Sequence, residues 1–290
     1  MINIAVMGYG TVGSGVVEVI NTNGARINQR IGDELNIKYV LDMKDFPGDP
    51  VQEKIVHDFE TIVSDEDVQI VVEVMGGIEP AYTFVKRCLQ AGKSVATSNK
   101  ALVAKHGPEL MEIAKEKNIN FLFEASCGGG IPIIRPLKEC LAGNHMAEVM
   151  GIVNGTTNFI LTKMTQDGME FKDALALATE LGYAEADPTA DIEGLDAGRK
   201  VAILASVAFN SRVVFDDVYI EGITKITAKD IKYAKEMGCD IKLLGVAKNT
   251  EDGVEAYVCP MLIPSSHPLA SVNDSYNACL LYTSPSPRDR

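Results

Sequence analysis

The sequence has few of the features that mark secreted, membrane-spanning or nucleic-acid-binding chains. Its six cysteines, at 88, 127, 140, 239, 259 and 279, form no Cys-x-x-Cys pair and lie at no zinc spacing from a histidine. Reduced thiols in a cytoplasmic protein are therefore expected. No apolar run approaches the ~18 residues that span a bilayer, so no membrane is expected as a partner. The longest run, Val201 to Phe209, suits a buried helix. At the N-terminus Ile2-Asn3-Ile4-Ala5-Val6 runs straight into a glycine loop with no basic region before it, so no signal peptide is expected. Bases are in deficit, 27 against 40 acids, for a net charge of −13. Such a surface repels phosphate backbones and argues against general nucleic-acid binding. It leaves room for a local basic pocket that takes a small anion.

What is present is a chain of 290 residues, 46% apolar, which is enough for a sizeable core and suits about two domains. Ile2 to Met7 reads as a buried strand, followed by a helix with Val12, Val16, Val19 and Ile20 on one face. Further strands are expected at Ile37 to Leu41, Val68 to Met75, Ser94 to Thr97 and Phe121 to Glu124. Helices are expected at Pro80 to Ala91 and at Leu102 to Lys117, the latter interrupted near Gly107-Pro108. Strands alternating with helices imply a Rossmann-type parallel α/β sheet. Three glycines and a proline, Gly128-Gly129-Gly130-Ile131-Pro132, then mark a boundary. Beyond it a mixed α+β domain is expected. Its helices are Ile133 to Leu141, Thr157 to Thr165, Phe171 to Leu181 and one long helix from Asp191 to Phe209. Its strands are Glu148 to Val153, Val218 to Ile220, Ile241 to Ala247 and Val254 to Pro260. The division expected is 1–126 for nucleotide binding, 127–279 for substrate and catalysis, and 280–290 as a flexible or foreign tail. The tail is polar and proline-rich, and the natural reading frame is expected to be lost near Ala278.

Gly8-Tyr9-Gly10-Thr11-Val12-Gly13 fits G-x-G-x-x-G after a strand and before a helix, the context in which the motif implies a dinucleotide. Gly8 permits the turn, Gly10 lets a pyrophosphate approach, and Gly13 lets the helix pack on the strand. An acid at the end of the second strand favours NAD, and a base favours NADP. Asp42 stands there with Lys44 two residues on, which tilts the reading toward NAD; both are equally readable as solvated loop charges.

Asp196 and Lys200 are spaced i,i+4 and share a helix face. Exposed, the pair is an ordinary salt bridge. In a cleft it is a carboxylate able to hold a substrate ammonium beside an amine able to shuttle a proton. Spacing alone favours the first reading.

Five stretches in order resemble the homoserine dehydrogenases: Gly8 to Gly13, Ser98-Asn99-Lys100, Phe123 to Ile134, Gly151 to Asn158, and Gly182 to Lys200. The resemblance covers residues 2 to about 278. It implies NAD(P)-linked interconversion of L-aspartate 4-semialdehyde and L-homoserine, a step of threonine and methionine synthesis. It implies Lys200 as proton donor and acceptor, Glu185 and Asp196 as substrate-binding acids, and Thr156 in the loop that lines the pocket. Lys100 falls near cofactor and substrate, and Gly182 near the cofactor. Glu124 with the carbonyls of Cys127, Gly129 and Ile131 matches the family's site for a monovalent cation, usually sodium; hard oxygen donors suit such an ion. A homodimer formed through the second domain is also implied. Family members continue with a segment that closes over the cofactor, and many carry a regulatory domain after it. Neither is in this sequence, so the expectation is weak cofactor binding or slow turnover. The rival readings are another Rossmann-type amino-acid dehydrogenase and a non-catalytic dinucleotide-binding protein. A semialdehyde dehydrogenase with a cysteine nucleophile ranks low, because Cys127 and Cys140 lack the matching surroundings.

Overall fold

A computed structural model describes residues 1–283. They fall into two compact units, divided between Ser126 and Cys127.

In the first unit the apolar runs make strands β1 (Ile2–Met7), β2 (Leu35–Leu41), β3 (Ile55–Val56), β4 (Val68–Glu73), β5 (Ser94–Thr97) and β6 (Phe121–Leu122). Helices α1 (Thr11–Ile31), α2 (Glu60–Val63), α3 (Ala81–Gln90) and α4 (Lys100–Glu116) connect them. All pairs are parallel, in the order β3-β2-β1-β4-β5-β6. This is the doubly wound order in which ligands bind beyond the carboxyl ends of the strands, where the order reverses. Ile4, Val6, Val17, Ile37, Val40 and Val51 form a core between sheet and helix.

Three expectations are corrected here. The inward line of α1 is Gly13, Val17 and their neighbours Val16 and Ile20, while Val12 and Val19 are about half exposed. Gly13 seats the helix on the glycine loop, and the 3.6-residue repeat follows from that anchor. Helix α4 is not interrupted: it runs through Gly107 and Pro108. The proline forfeits one intrahelical hydrogen bond, which the surrounding turns tolerate. The last strand is shorter than expected, because Ser126 N–H and Oγ both donate to Phe123 O (3.0 and 2.6 Å) and turn the chain at Glu124–Ser126.

The second unit holds β7 (Met146–Ile152), helices α5 (Gly155–Gln166), α6 (Phe171–Glu180), α7 (Thr189–Ile192) and α8 (Leu195–Phe209), then β8 (Tyr219–Ile220), α9 (Ala228–Glu236), β9 (Cys239–Thr250), β10 (Gly253–Pro264) and β11 (Ala278–Thr283). Its sheet has the order β11-β7-β9-β10-β8, antiparallel except for β10 with β8. Helix α8 packs closely on it: a Cβ at Gly245 of β9 would come 2.3 Å from Val201 Cγ2.

The expected helix over Ile133 to Leu141 is present as one wide π turn, Pro136–Cys140. The long helix from Asp191 to Phe209 is in fact two helices. Gly194 adopts φ +78°, a left-handed conformation open to glycine, and breaks α7 from α8. Residues 280–283, expected in a tail, belong to β11, with Leu280 opposite Met150 and Tyr282 opposite Glu148. The rest of that segment, 284–290, lies outside the described residues.

Candidate functional site

In the first unit, a cleft of about 480 Å³ opens beyond β1, β2 and β4. Gly8, Tyr9 and Gly10 form one wall, with Asp42 and Met43 beyond β2 and Val74 to Gly76 beyond β4. Gly8 has φ +101°, and a Cβ at Gly13 would lie 1.9 Å from Gly8 O, so neither position admits a side chain without moving the backbone. The apolar side of the cleft is Phe59 stacked on Phe84, ring centroids 4.0 Å apart, with Pro80 beside them. Asp42 is half-buried and ties the loop in place: Oδ2 accepts from Tyr9 N (2.8 Å) and Oδ1 from Lys44 N (3.0 Å). His57 Nδ1 lies 2.7 Å from Asp42 O and its Nε2 3.2 Å from Asp45 Oδ1. The Asp42 carbonyl foremost, then the Asp45 carboxylate, holds the His57 imidazolium pKa above its ordinary value. Asp49 accepts from Tyr9 Oη (3.0 Å), which adds a third acid to this rim. Under β4, fully buried Glu73 accepts from Met75 N (2.8 Å) and Thr97 Oγ1 (2.6 Å). Asn99, just before Lys100, caps α4 by accepting from Leu102 N (3.1 Å).

The second unit carries a compact charged cluster where β7 gives way to α5. Lys200 Nζ is 2.7 Å from Asp196 Oδ2 and donates to Val153 O at 2.7 Å. Asp196 is 2% exposed and the Lys200 side chain 15%, so this i,i+4 pair is not a solvated one. Asn154 caps α5 by accepting from Thr157 N (2.8 Å), and its Nδ2 donates to Asp196 Oδ2 (3.0 Å) and Asp191 Oδ1 (2.7 Å). The break at Gly194 lets Asp191 reach that amide from a separate helix. Thr156 Oγ1 donates to Tyr183 O (2.7 Å), tying α5 to the exposed turn that holds Gly182 and Glu185. A buried carboxylate beside a nearly buried amine is an arrangement suited to moving one proton.

Comparison with known proteins shows the family. The family model of the homoserine dehydrogenase NAD-binding domain matches residues 8–124, and that of homoserine dehydrogenase matches 132–287. The chain belongs to the homoserine dehydrogenase family. It is 49% identical over 284 residues to the homoserine dehydrogenase of Corynebacterium glutamicum, covering 96% of this chain and 64% of that protein. With that of Mycobacterium tuberculosis H37Rv it shares 47% over 287 residues, covering 97% and 65%. It therefore spans just under two thirds of the length of these relatives. The crystal structure of a Thiobacillus denitrificans homoserine dehydrogenase superposes with a TM-score of 0.92 at 41% identity, over 98% of this chain and 66% of that one. A hyperthermophilic archaeal homoserine dehydrogenase in complex with NADPH superposes at 0.81 and 30% identity, over 98% and 88%.

The residues expected from sequence thus gather in two places. Gly8, Tyr9, Gly10 and Asp42 line the cleft, with Thr11, Val12 and Gly13 opening α1 beside it and Lys44 on the loop after Asp42. Lys200, Asp196 and Thr156 cluster at the start of α5, with Glu185 in the tied turn. Lys100 opens α4 in the first unit, and Cys127, Gly129 and Ile131 lie in the loop that opens the second. Asn154, Asp191 and the Val153 carbonyl had no expected role. The pattern Asn-Gly-Thr-Thr does announce a helix cap. Nothing in the sequence tells that the free amide of this cap reaches two carboxylates.

Proposed function

We propose that this chain carries out the NAD(P)-linked interconversion of L-aspartate 4-semialdehyde and L-homoserine, within aspartate-family amino-acid synthesis. The observation that carries the reading is the Lys200 amine fixed between Asp196 and the Val153 carbonyl in a member of this family. Bound nicotinamide supplies or accepts the hydride. Lys200 Nζ gives a proton to the carbonyl oxygen as hydride reaches the aldehyde carbon, leaving a neutral amine and homoserine. In the other direction it takes the hydroxyl proton. Asp196 orients that amine, and it presents a negative field to the substrate hydroxyl. Glu185, exposed, suits the substrate's α-ammonium, Thr156 lines the pocket, and Lys100 supplies positive field for the substrate carboxylate. Gly182, at φ +78°, keeps its own turn tight, and the family resemblance is what assigns it to the cofactor.

The acidic rim of Asp42, Asp45 and Asp49 supports NAD over NADP, since a 2′-phosphate would meet like charge there. For the monovalent cation, the backbone of the glycine loop supports the reading. Gly128 and Gly129 adopt φ +77° and +58°, and a Cβ at Gly128 would lie 2.9 Å from Ile131 O, so glycine lets the chain fold closely around that carbonyl. Glu124 and the carbonyls of Cys127, Gly129 and Ile131 would hold sodium, which supplies fixed charge and no redox chemistry. A homodimer through the second unit accompanies this reading.

The test is steady-state assay of the 290-residue chain with L-homoserine and each oxidised nicotinamide nucleotide. Turnover with homoserine, and a higher kcat/KM with NAD, is expected. Nucleotide binding without turnover would instead support the non-catalytic reading.

A further inference from the structure

Lys200 bonds to a backbone carbonyl, and that carbonyl is itself held from behind. Val153 O has two lone pairs. One accepts from Lys200 Nζ; with the Asn277 amide assigned so that its nitrogen faces the two backbone oxygens, the orientation that satisfies its hydrogen bonding, the other accepts from Asn277 Nδ2 at 3.1 Å, and the same nitrogen reaches Ile152 O at 3.2 Å. Asn277 immediately precedes β11 and lies against Gly129 of the glycine loop. The segment before it, 272–276, is not loosely placed. Asn158 Nδ2 donates to the carbonyls of Val272 (3.1 Å), Asp274 (2.9 Å) and Tyr276 (3.3 Å). Asp274, at φ +54°, gives its N–H to Thr162 Oγ1 (3.0 Å).

Beneath them lies Lys242, 3% exposed in the middle of β9. Its Nζ donates to Val272 O (2.6 Å), Asn273 Oδ1 (3.2 Å) and Asn158 Oδ1 (3.4 Å). A buried ammonium is costly unless every donor is used, so such a group marks a position where the chain is pinned. The pinned segment also meets the start of α5. A Cβ at Gly155 would come 2.6 Å from Ser275 O, so the first residue of α5 rests directly on this backbone.

We infer that Asn277, latched through Lys242 and Asn158, is a positioning residue for Lys200, bracing the Val153 carbonyl so that the amine keeps one direction. This rests on the proposed role of Lys200 and adds a residue that touches neither substrate nor cofactor. Misplacing a reacting group by about 1 Å costs up to 10²-fold in rate, so a brace of this kind has a kinetic consequence.

The test compares Asn277→Leu and Lys242→Met with wild type in the full chain, keeping variants whose circular dichroism is unchanged. Asn277→Ser replaces Asn277→Leu if that variant does not fold. The first readout is amine acylation at Lys200, followed by mass spectrometry, which needs no turnover. Lys200 should label several-fold faster in each variant. The second is homoserine oxidation: kcat should fall by about tenfold to a hundredfold while KM for the nucleotide stays within about twofold. In a Lys200→Ala background, Asn277→Leu should cost nothing more. A purely structural role would lower the melting temperature and leave Lys200 labelling unchanged, and that result, or additive losses in the double variant, overturns the inference. Absence of homoserine oxidation in wild type would sink the proposed activity, while the labelling arm would still decide this one.

Discussion

Single side chains already separate one buried ion pair from its exposed counterparts. Arg135 with Glu139 and Lys232 with Glu236 share the i,i+4 spacing of Asp196 with Lys200, yet all four of their side chains are more than half exposed. Pairs of that kind contribute little. Asp196 and Lys200 differ because their helix is buried and Asn154 brings a third group to the carboxylate. Spacing could not reveal this, because burial is a property of the neighbours. At the cleft rim, Asp42→Ala should raise NADP use relative to NAD several-fold, read as the ratio of kcat/KM values. It should also loosen Tyr9, whose N–H loses its acceptor. Asp65 illustrates a stabilising acid away from either site. Hydrogen bonding to Lys38 foremost (2.7 Å), and to Asp67 N–H, lowers its pKa from 3.8 to about 2. Its contribution is fully present above pH 3.8 and is lost as pH falls through about 2. Asp65→Asn should therefore flatten the acid limb of a stability-versus-pH curve over that window, measured by urea unfolding.

Whole elements were legible where one physical signal dominates. The glycine loop is one case. Strand, turn and helix are all specified within Ile2 to Ile20, and Gly13 against Gly8 O leaves no room for any other residue. Gly13→Ala should drive these backbones apart, lower the melting temperature and weaken NADH binding by tenfold or more, as measured by fluorescence titration. Gly15→Ala, two residues on, meets nothing within 4 Å. It should leave binding intact and stabilise α1 by about 0.5–1 kcal/mol. The breaks in pattern were harder to read. Pro108 predicts an interruption that α4 does not show, because one lost hydrogen bond is outweighed by the burial of Leu102, Val103 and Leu110. Gly194 sits inside a run that looks continuously helical, and only its left-handed backbone separates Asp191 from Asp196. Strand β3, two residues long, carries too little pattern to announce itself, whereas β8, equally short, falls within the strand expected at Val218 to Ile220. Strand β11 was masked by the polar, proline-rich residues that follow it.

At the scale of the molecule, the two candidate sites lie in two separate compact units. The first offers a glycine-rich turn and an acid-rimmed cleft, and the second offers a buried Asp196–Lys200 ion pair, the proposed proton-transfer group. The net charge is −13, and among the described residues no helix is long and apolar enough to cross a membrane. The central claim is that one amine moves the proton, and it is tested most directly by Lys200→Ala. Homoserine-dependent nucleotide reduction should fall by ~10²-fold or more, since a positioned acid–base group typically supplies that much, while NADH binding stays unchanged. Turnover retained within a few-fold of wild type would contradict the account.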